Sequence, residues 1–158
     1  MAGYKEIPLS KGMVTIVDSS DYEELSKNKW YYSTKGYAVR DEFINGKKVK
    51  IWMHRRVSNP PLNKQVDHIN HDKLDNRRDN LRHCTNQENH ANKPLNKTNS
   101  SGYKGVSFHK ETGKWRAAIE IKGKKISLGL HHDIKEAAKA YNLMANKSFG
   151  EYAYQNHI

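Results

Sequence analysis

From Val66 to Lys93 the chain reads VDHINHDKLDNRRDNLRHCTNQENHANK. Val66, Ile69, Leu74, Leu81, Cys84 and Ala91 are its apolar members, and six Asn, four Asp and four His fill much of the rest. So long a run with so few apolar side chains cannot lend a face to a large hydrophobic core. A chain built around it folds as small units, steadied by each other, by polar bonds or by a ligand. The totals agree: 158 residues with 35% apolar content fit one ordinary domain or two small ones. The run is then either a solvated surface loop or a site, and the rest of the sequence has to decide which.

Charge narrows the choice of partner. The formal net charge is +11, a balance that favours a polyanion, either nucleic acid or an anionic membrane. Residues 1–65 carry twelve Lys/Arg against seven Asp/Glu, residues 66–95 five of each, residues 96–125 eight against two, and residues 126–158 three of each. A tail would hold its charge as one solid run. Here basic, patterned segments flank a neutral polar middle, as two contact surfaces flank a site. No apolar run is long enough to span a bilayer, and no signal-peptide pattern opens the chain. The single cysteine, Cys84, rules out an internal disulfide, so a cytoplasmic setting with no membrane partner is expected.

The elements follow from period and punctuation. MVTIVD (13–18) reads as a strand and DYEELSKNKW as one or two helical turns, with Asp21 as cap and Leu25 and Trp30 inward. WYYS, YAVRDEFI and KKVKIWMH read as strands, the last two joined by an Asn-Gly hairpin turn at 45–47. SNPPLNK (58–64) breaks the pattern and delivers the chain to a brief strand, QVDHI. A long loop, a second strand at 80–85 and a short helix through QENHANK, capped by Thr85 or Asn86, complete the polar run. PLNKTNSSG (94–102) reads as a linker. Beyond it, KWRAAIEIK alternates with period two, YKGVSFHK and KISLG supply flanking strands, and DIKEAAKAYNLMANKSFG is a helix. Asp133 is its cap, with Glu136 three residues on. Val106, Phe108, Trp115, Ala117, Ile119, Ile121, Ile126 and Leu128 are expected inward, beneath a helix face of Ile134, Ala137, Ala138, Tyr141 and Ala145. The opposite face would then show Ser107, His109, Lys114, Arg116, Lys122, Lys125 and Ser127.

Within the polar run, Asp67-His68 is the chemical centre. Asp67 offers a hard anionic oxygen, and Mg²⁺ needs few protein ligands because it keeps several waters. His68 can take the proton of an attacking water, and positioned general bases are worth about 10²–10⁴-fold. Asn89, on the following helix, can supply a second metal oxygen. Asn80, at the base of a loop with few apolar groups, is suited to bonding loop backbone and fixing its shape. His54 either faces a scissile phosphate or braces the site, and Arg55 and Arg56 are candidate phosphate contacts. A zinc site from His71, His83, His90 and Cys84 does not have a common structural spacing.

His68, Asn80 and Asn89, twelve and nine residues apart, with Asp67 before the first, resemble the HNH nuclease motif of the ββα-metal fold. The likeness is nearest to bacteriophage HNH homing endonucleases, through MHRRV, VDHINHDKLDNRRDNLR and CTNQENHANK. EIPLSKGMVTIVDSSDYEELSKNKW is similar to the leader of those proteins. The resemblance implies metal-dependent cleavage of double-stranded DNA in the cytoplasm of a bacterial host. It makes His68 the base, Asp67 and Asn89 the metal ligands and Asn80 the loop brace. Many relatives end the motif in His. Asn89 in that place is a hard oxygen donor that favours Mg²⁺ or Mn²⁺ over zinc.

The last third, through YKGVSFHKETGKWRAAI, ISLGLHHDIKEAAKAY and FGEYA, resembles the APETALA2/ethylene-response-factor DNA-binding domain. That family lays a three-stranded sheet in the major groove. Lys104 and the outward residues named above become DNA contacts by this reading. Plant members have Arg or Trp where this chain has Ser107, His109 and Ser127, and Ala118 and Glu120 replace a Glu and an Arg, so the target sequence is not inherited.

The expected fold class is α+β. It comprises an HNH nuclease domain with a β-rich leader (1–93), a linker (94–102), and a three-stranded antiparallel sheet on one helix (103–158). The expected activity is nicking by a monomer, with no small-molecule cofactor. The alternative is a non-cleaving, sequence-specific DNA-binding regulator.

Overall fold

In the computed structural model, which describes residues 3–158, the β-branched run near the start pairs at once with its neighbour. Strand β1 (Tyr4–Pro8) lies antiparallel to β2 (Val14–Asp18). Alternation turns Thr15 and Val17 into the interior, where both are fully buried. Helix α1 (Ser19–Ser26) starts earlier than its sequence suggests, with Asp18 at the N-cap position in place of Asp21. The reason is Arg78. Its amide donates to the Asp18 carboxylate at 2.8 Å, and its guanidinium donates to Asp21 at 2.6 and 2.8 Å, so both carboxylates tie down the polar run. Leu25 and Trp30 are buried, and the Trp30 indole N–H donates to the Leu25 carbonyl.

A second sheet, ordered β3-β4-β5, follows: β3 (Tyr31–Tyr32), β4 (Ala38–Ile44) and β5 (Lys47–Trp52), all antiparallel. Asn45 and Gly46 both take positive φ, 50° and 74°, as a two-residue hairpin matching the strand twist requires. The expected continuation of β5 through His54 does not occur. The chain turns into helix α2 (Met53–Ser58), which buries Met53, His54 and Val57. Met53 and Val57 are four residues apart, the helical spacing, and Asn59 in the left-handed region ends the turn before Pro60. Strand β6 (Gln65–His68) then pairs antiparallel with β7 (Leu81–Cys84). The loop between them is not a free surface loop. Ile16 of β2 bridges to it in parallel, its amide donating to the Leu74 carbonyl and its carbonyl accepting from the Asn76 amide, each at 2.9 Å. Ile7, Leu9, Val17, Leu25, Trp30, Ala38, Met53 and Val57 form the core of this part.

Contacts divide the chain into two compact units that part between Thr85 and Asn86, not within 94–102. Helix α3 (Asn86–Asn92) therefore packs with the C-terminal unit. Lys104 explains this. Its ammonium donates to the carbonyls of Ala91 at 2.7 Å and Lys93 at 2.6 Å, with a longer contact to His90, and so caps the end of α3. The Tyr154 amide adds a bond to the Ala91 carbonyl. Lys104, expected among the outward DNA contacts, is thus turned onto its own backbone, and burial pushes its ammonium down to about 8.

The C-terminal unit holds a three-stranded antiparallel sheet ordered β10-β9-β8: β8 (Val106–His109), β9 (Lys114–Ile121) and β10 (Lys124–His131). Helix α4 (Ile134–Phe149) crosses it, buries Ala137, Ala138, Tyr141 and Ala145, and is capped by the Asp133 carboxylate through the Lys135 and Glu136 amides. Gly105 (φ 75°) lets Tyr141 come close: a Cβ there would lie 2.0 Å from the Tyr141 ring. Phe108 and Ile126, expected inward, are exposed. A single helix is about 10–12 Å wide, so it covers β9 and leaves the edge strands β8 and β10 partly open. No helix among the described residues is long and apolar enough to cross a membrane.

Candidate active site

The antiparallel register of β6 and β7 sets Asp67 opposite Arg82 and His68 opposite Leu81. Asp67 and His68 are 7% and 5% exposed, although both are polar and lie at the end of a four-residue strand. Burial of a carboxylate needs a partner. Arg82 supplies one, with Nε at 3.0 Å and Nη2 at 2.8 Å from Asp67 Oδ2. Replacing only one member of so enclosed a pair would strand the other charge.

Aromatic rings wall the imidazole. Helix α2 brings the His54 ring to 5.3 Å from that of His68, edge to face. Tyr37, just before β4, stands 5.1 Å from His54 and 6.0 Å from His68, and Trp52 lies 5.3 Å from Tyr37 and 5.8 Å from His54. These surroundings strip water from both imidazoles. Burial, then repulsion from His68 and Arg55, pushes His54 down to about 3. Burial also lowers His68, against the opposing pull of Asn76 and of the carboxylates of Asp67, Asp72 and Asp75. Both rings are neutral at pH 7. Burial, followed by the Asp67 charge, raises the Tyr37 phenol. The field of Asp67 is therefore felt at both His68 and Tyr37, and strand neighbours serve one site.

Behind His68 lies a chain of hydrogen bonds. Its Nε2 is 3.3 Å from Asn76 Oδ1, the Asn76 Nδ2 donates to Thr15 Oγ1 at 2.8 Å, and the Thr15 hydroxyl donates to the Leu74 carbonyl at 2.6 Å. Asn80 ties the two ends of the loop. Its Oδ1 accepts from the Asn70 amide at 3.0 Å and its Nδ2 donates to the Asp75 carbonyl at 2.8 Å. Asp75, buried in turn, receives the Arg77 guanidinium at 2.7 and 2.8 Å, which holds its carboxyl below the usual range.

His54, Asp67 and His68 thus come together in the N-terminal unit, with Asn80 bracing the loop beside them. Asn89 stands on α3, in the C-terminal unit. Arg55 bonds the Lys64 carbonyl, and Arg56 is paired with Glu24. Ser107, Arg116, Lys125 and Ser127 lie on the sheet face away from α4, with Glu120 among them. His109 and Lys114 end that face at its hairpin, and Lys122 sits in the β9–β10 turn. Thr15, Tyr37, Asn76 and Arg82 join the site without belonging to the motif positions. Alternation in VTIVD places Thr15 inward beside Val17, so a buried hydroxyl in need of a partner was there to be read. Arg82 stands opposite Asp67 once the two strands are paired.

Among the described residues no group of three His, Cys, Asp or Glu side chains could hold a metal ion. One carboxylate with carboxamides for company is a hard-oxygen donor set, which fits Mg²⁺ or Mn²⁺ with retained water.

Known proteins are similar to this chain in sequence. The HNH endonuclease family matches residues 49–91, the span that holds α2, β6, the loop, β7 and most of α3. An uncharacterized HNH endonuclease of Acanthamoeba polyphaga mimivirus is 34% identical over 160 residues, covering 94% of this chain and 77% of that protein. Protein 3.8 of Escherichia phage T7 is 35% identical over 79 residues, covering 49% of this chain and 63% of its own length. No solved structure matches the chain.

Proposed function

The chain belongs to the HNH endonuclease family, and from that premise we propose that it is a homing-type nuclease that nicks double-stranded DNA as a monomer. The observation that carries this reading is the Asp67-His68 pair: two buried polar neighbours, one bonded by Arg82, the other an imidazole whose affinity for a proton burial lowers, under an aromatic wall.

HNH nucleases work with divalent metal ions. Here Asp67 would supply the carboxylate that holds one, preferentially Mg²⁺ or Mn²⁺. When bound it would supply positive charge for the phosphoryl oxygens and the departing 3′ oxygen. The chain's own residues do the rest. Burial keeps His68 uncharged at pH 7, so it accepts a proton from water as that oxygen bonds to phosphorus. The P–O3′ bond breaks, the 3′ oxygen takes up a proton, and 3′-hydroxyl and 5′-phosphate ends result. Arg82 holds the Asp67 carboxylate in place. Tyr37, Trp52 and His54 exclude bulk water, and Asn80 holds the loop in register. One such site cuts one strand. Arg55 and Arg56 contact phosphates, and the outward sheet face of the C-terminal unit, residues 103–158 in the APETALA2-like reading, docks in a groove through Arg116, Lys114, Lys122 and Lys125. Their neighbours Ser107, His109 and Ser127 approach base edges.

The test is supercoiled plasmid with Mg²⁺, wild type against His68→Ala. The expected result is an open-circular product from wild type that EDTA abolishes and that falls at least about 100-fold in the variant, while DNA binding persists. Equal nicking by both proteins removes His68 from the mechanism. Salt-dependent binding with no product under any divalent metal supports the non-cleaving regulator instead.

A further inference from the structure

The hydrogen bonds behind His68 run in one direction. The Thr15 hydroxyl has a single proton, and it is given to the Leu74 carbonyl at 2.6 Å. Toward Asn76 that oxygen can only accept, so the Asn76 group 2.8 Å from it must be the amide NH₂. The Asn76 carbonyl oxygen is thereby turned to His68 Nε2, and an oxygen at 3.3 Å needs a proton on the nitrogen. Turning the Asn76 amide over would set its oxygen against a hydroxyl oxygen whose proton is already committed. Thr15 is fully buried and Asn76 nearly so, so water does not relax this constraint.

We infer that Thr15 and Asn76 are positioning residues that lock His68 in the tautomer protonated at Nε2, so that its basic lone pair is on Nδ1. Neither residue is one of the motif positions His68, Asn80 and Asn89. Thr15 comes from β2, far upstream of the matched span. The inference rests on the reading of His68 as the base, but the lock itself is a property of the folded chain without metal or DNA.

Two-bond ¹H–¹⁵N spectra of the labelled, metal-free protein show which ring nitrogen carries the proton, with the His68 signals identified by their absence from His68→Ala. The expected wild-type result is protonation at Nε2. A wild-type ring protonated at Nδ1 overturns the inference without recourse to any variant. Thr15→Val, nearly isosteric, frees the Asn76 amide to turn over. The ratio of the two tautomers should then fall about five- to tenfold, the discrimination one hydrogen bond supplies, while Thr15→Ser keeps the wild-type spectrum. A Thr15→Val spectrum identical to wild type also overturns the lock. In plasmid nicking, Asn76→Ala should lower kcat at least about tenfold with KM for DNA within about twofold of wild type. An unchanged kcat overturns the positioning role. Full nicking by His68→Ala would remove the nuclease role of His68 yet leave the spectral result standing, so the two readings fail separately.

Discussion

Acidification should unfold the N-terminal unit through His54, and by an amount that can be worked out. His54 is 8% exposed, and its folded pKa is about 3 against an ordinary 6.5. A depressed folded pKa means that the unfolded chain binds a proton the folded chain refuses. Stability is complete above pH 6.5 and drains as pH falls from 6.5 toward 3. Between about pH 7 and about pH 5 this one group removes about 2 kcal/mol, a large share of what a small unit has. His68, lowered for the same reason, pulls the same way. The lowered carboxyls of Asp75 and Asp41 titrate below this window and do not confuse it. The assay is urea unfolding at the two pH values, without metal or DNA, followed by the fluorescence of Trp30 and Trp52. His54→Gln, which cannot take a proton, should lose about 2 kcal/mol less than wild type over the same interval. If the variant loses as much as the wild type, His54 is not the proton-refusing group and the enclosed-imidazole picture of the site is wrong.

Three further outcomes follow from contacts described above. Asn80→Ala removes both side-chain bonds by which Asn80 braces the 69–80 loop and should cost about 2–4 kcal/mol; faster hydrogen exchange at the Asn70 amide checks it, and unchanged exchange refutes the bracing role. Gly105→Ala pushes a methyl into Tyr141 at a positive φ, which should destabilise the C-terminal unit by at least about 3 kcal/mol; an unaltered melting transition would contradict the close approach. Lys104→Met strips the cap from α3 and should cost about 1.5–3 kcal/mol, read as faster amide exchange in residues 86–92; protection equal to wild type would mean that the three carbonyls do not need the ammonium.

What could be read in advance was what repeats or punctuates. The alternation of Lys114–Ile121, the Asn45-Gly46 turn and the Asp133 cap are local signals, and each element stands where its signal lies. Asp67 and His68 stood out because a carboxylate and an imidazole in a strand need a reason. What could not be read depends on partners distant in the chain. Helix α2 hides as a strand end because only Met53 and Val57 mark its period, over six residues. Lys104 looked like one more outward cation, since nothing local says that the end of α3 will arrive within reach of its ammonium. Phe108 and Ile126 follow the alternation but sit on edge strands that one helix does not cover. Asn76 was one asparagine among six in the polar run, and only the docking of β2 singles it out.

That docking sets a limit on portability. The stretch that matches the HNH family begins at residue 49, yet the loop it contains leans on a strand from residues 14–18. A cassette cut at the edges of the likeness and grafted to another scaffold would carry its imidazole and its acid but leave their scaffolding behind. Exchange between such enzymes should therefore succeed when the donor brings its first two strands along, and fail when the cut follows the motif alone.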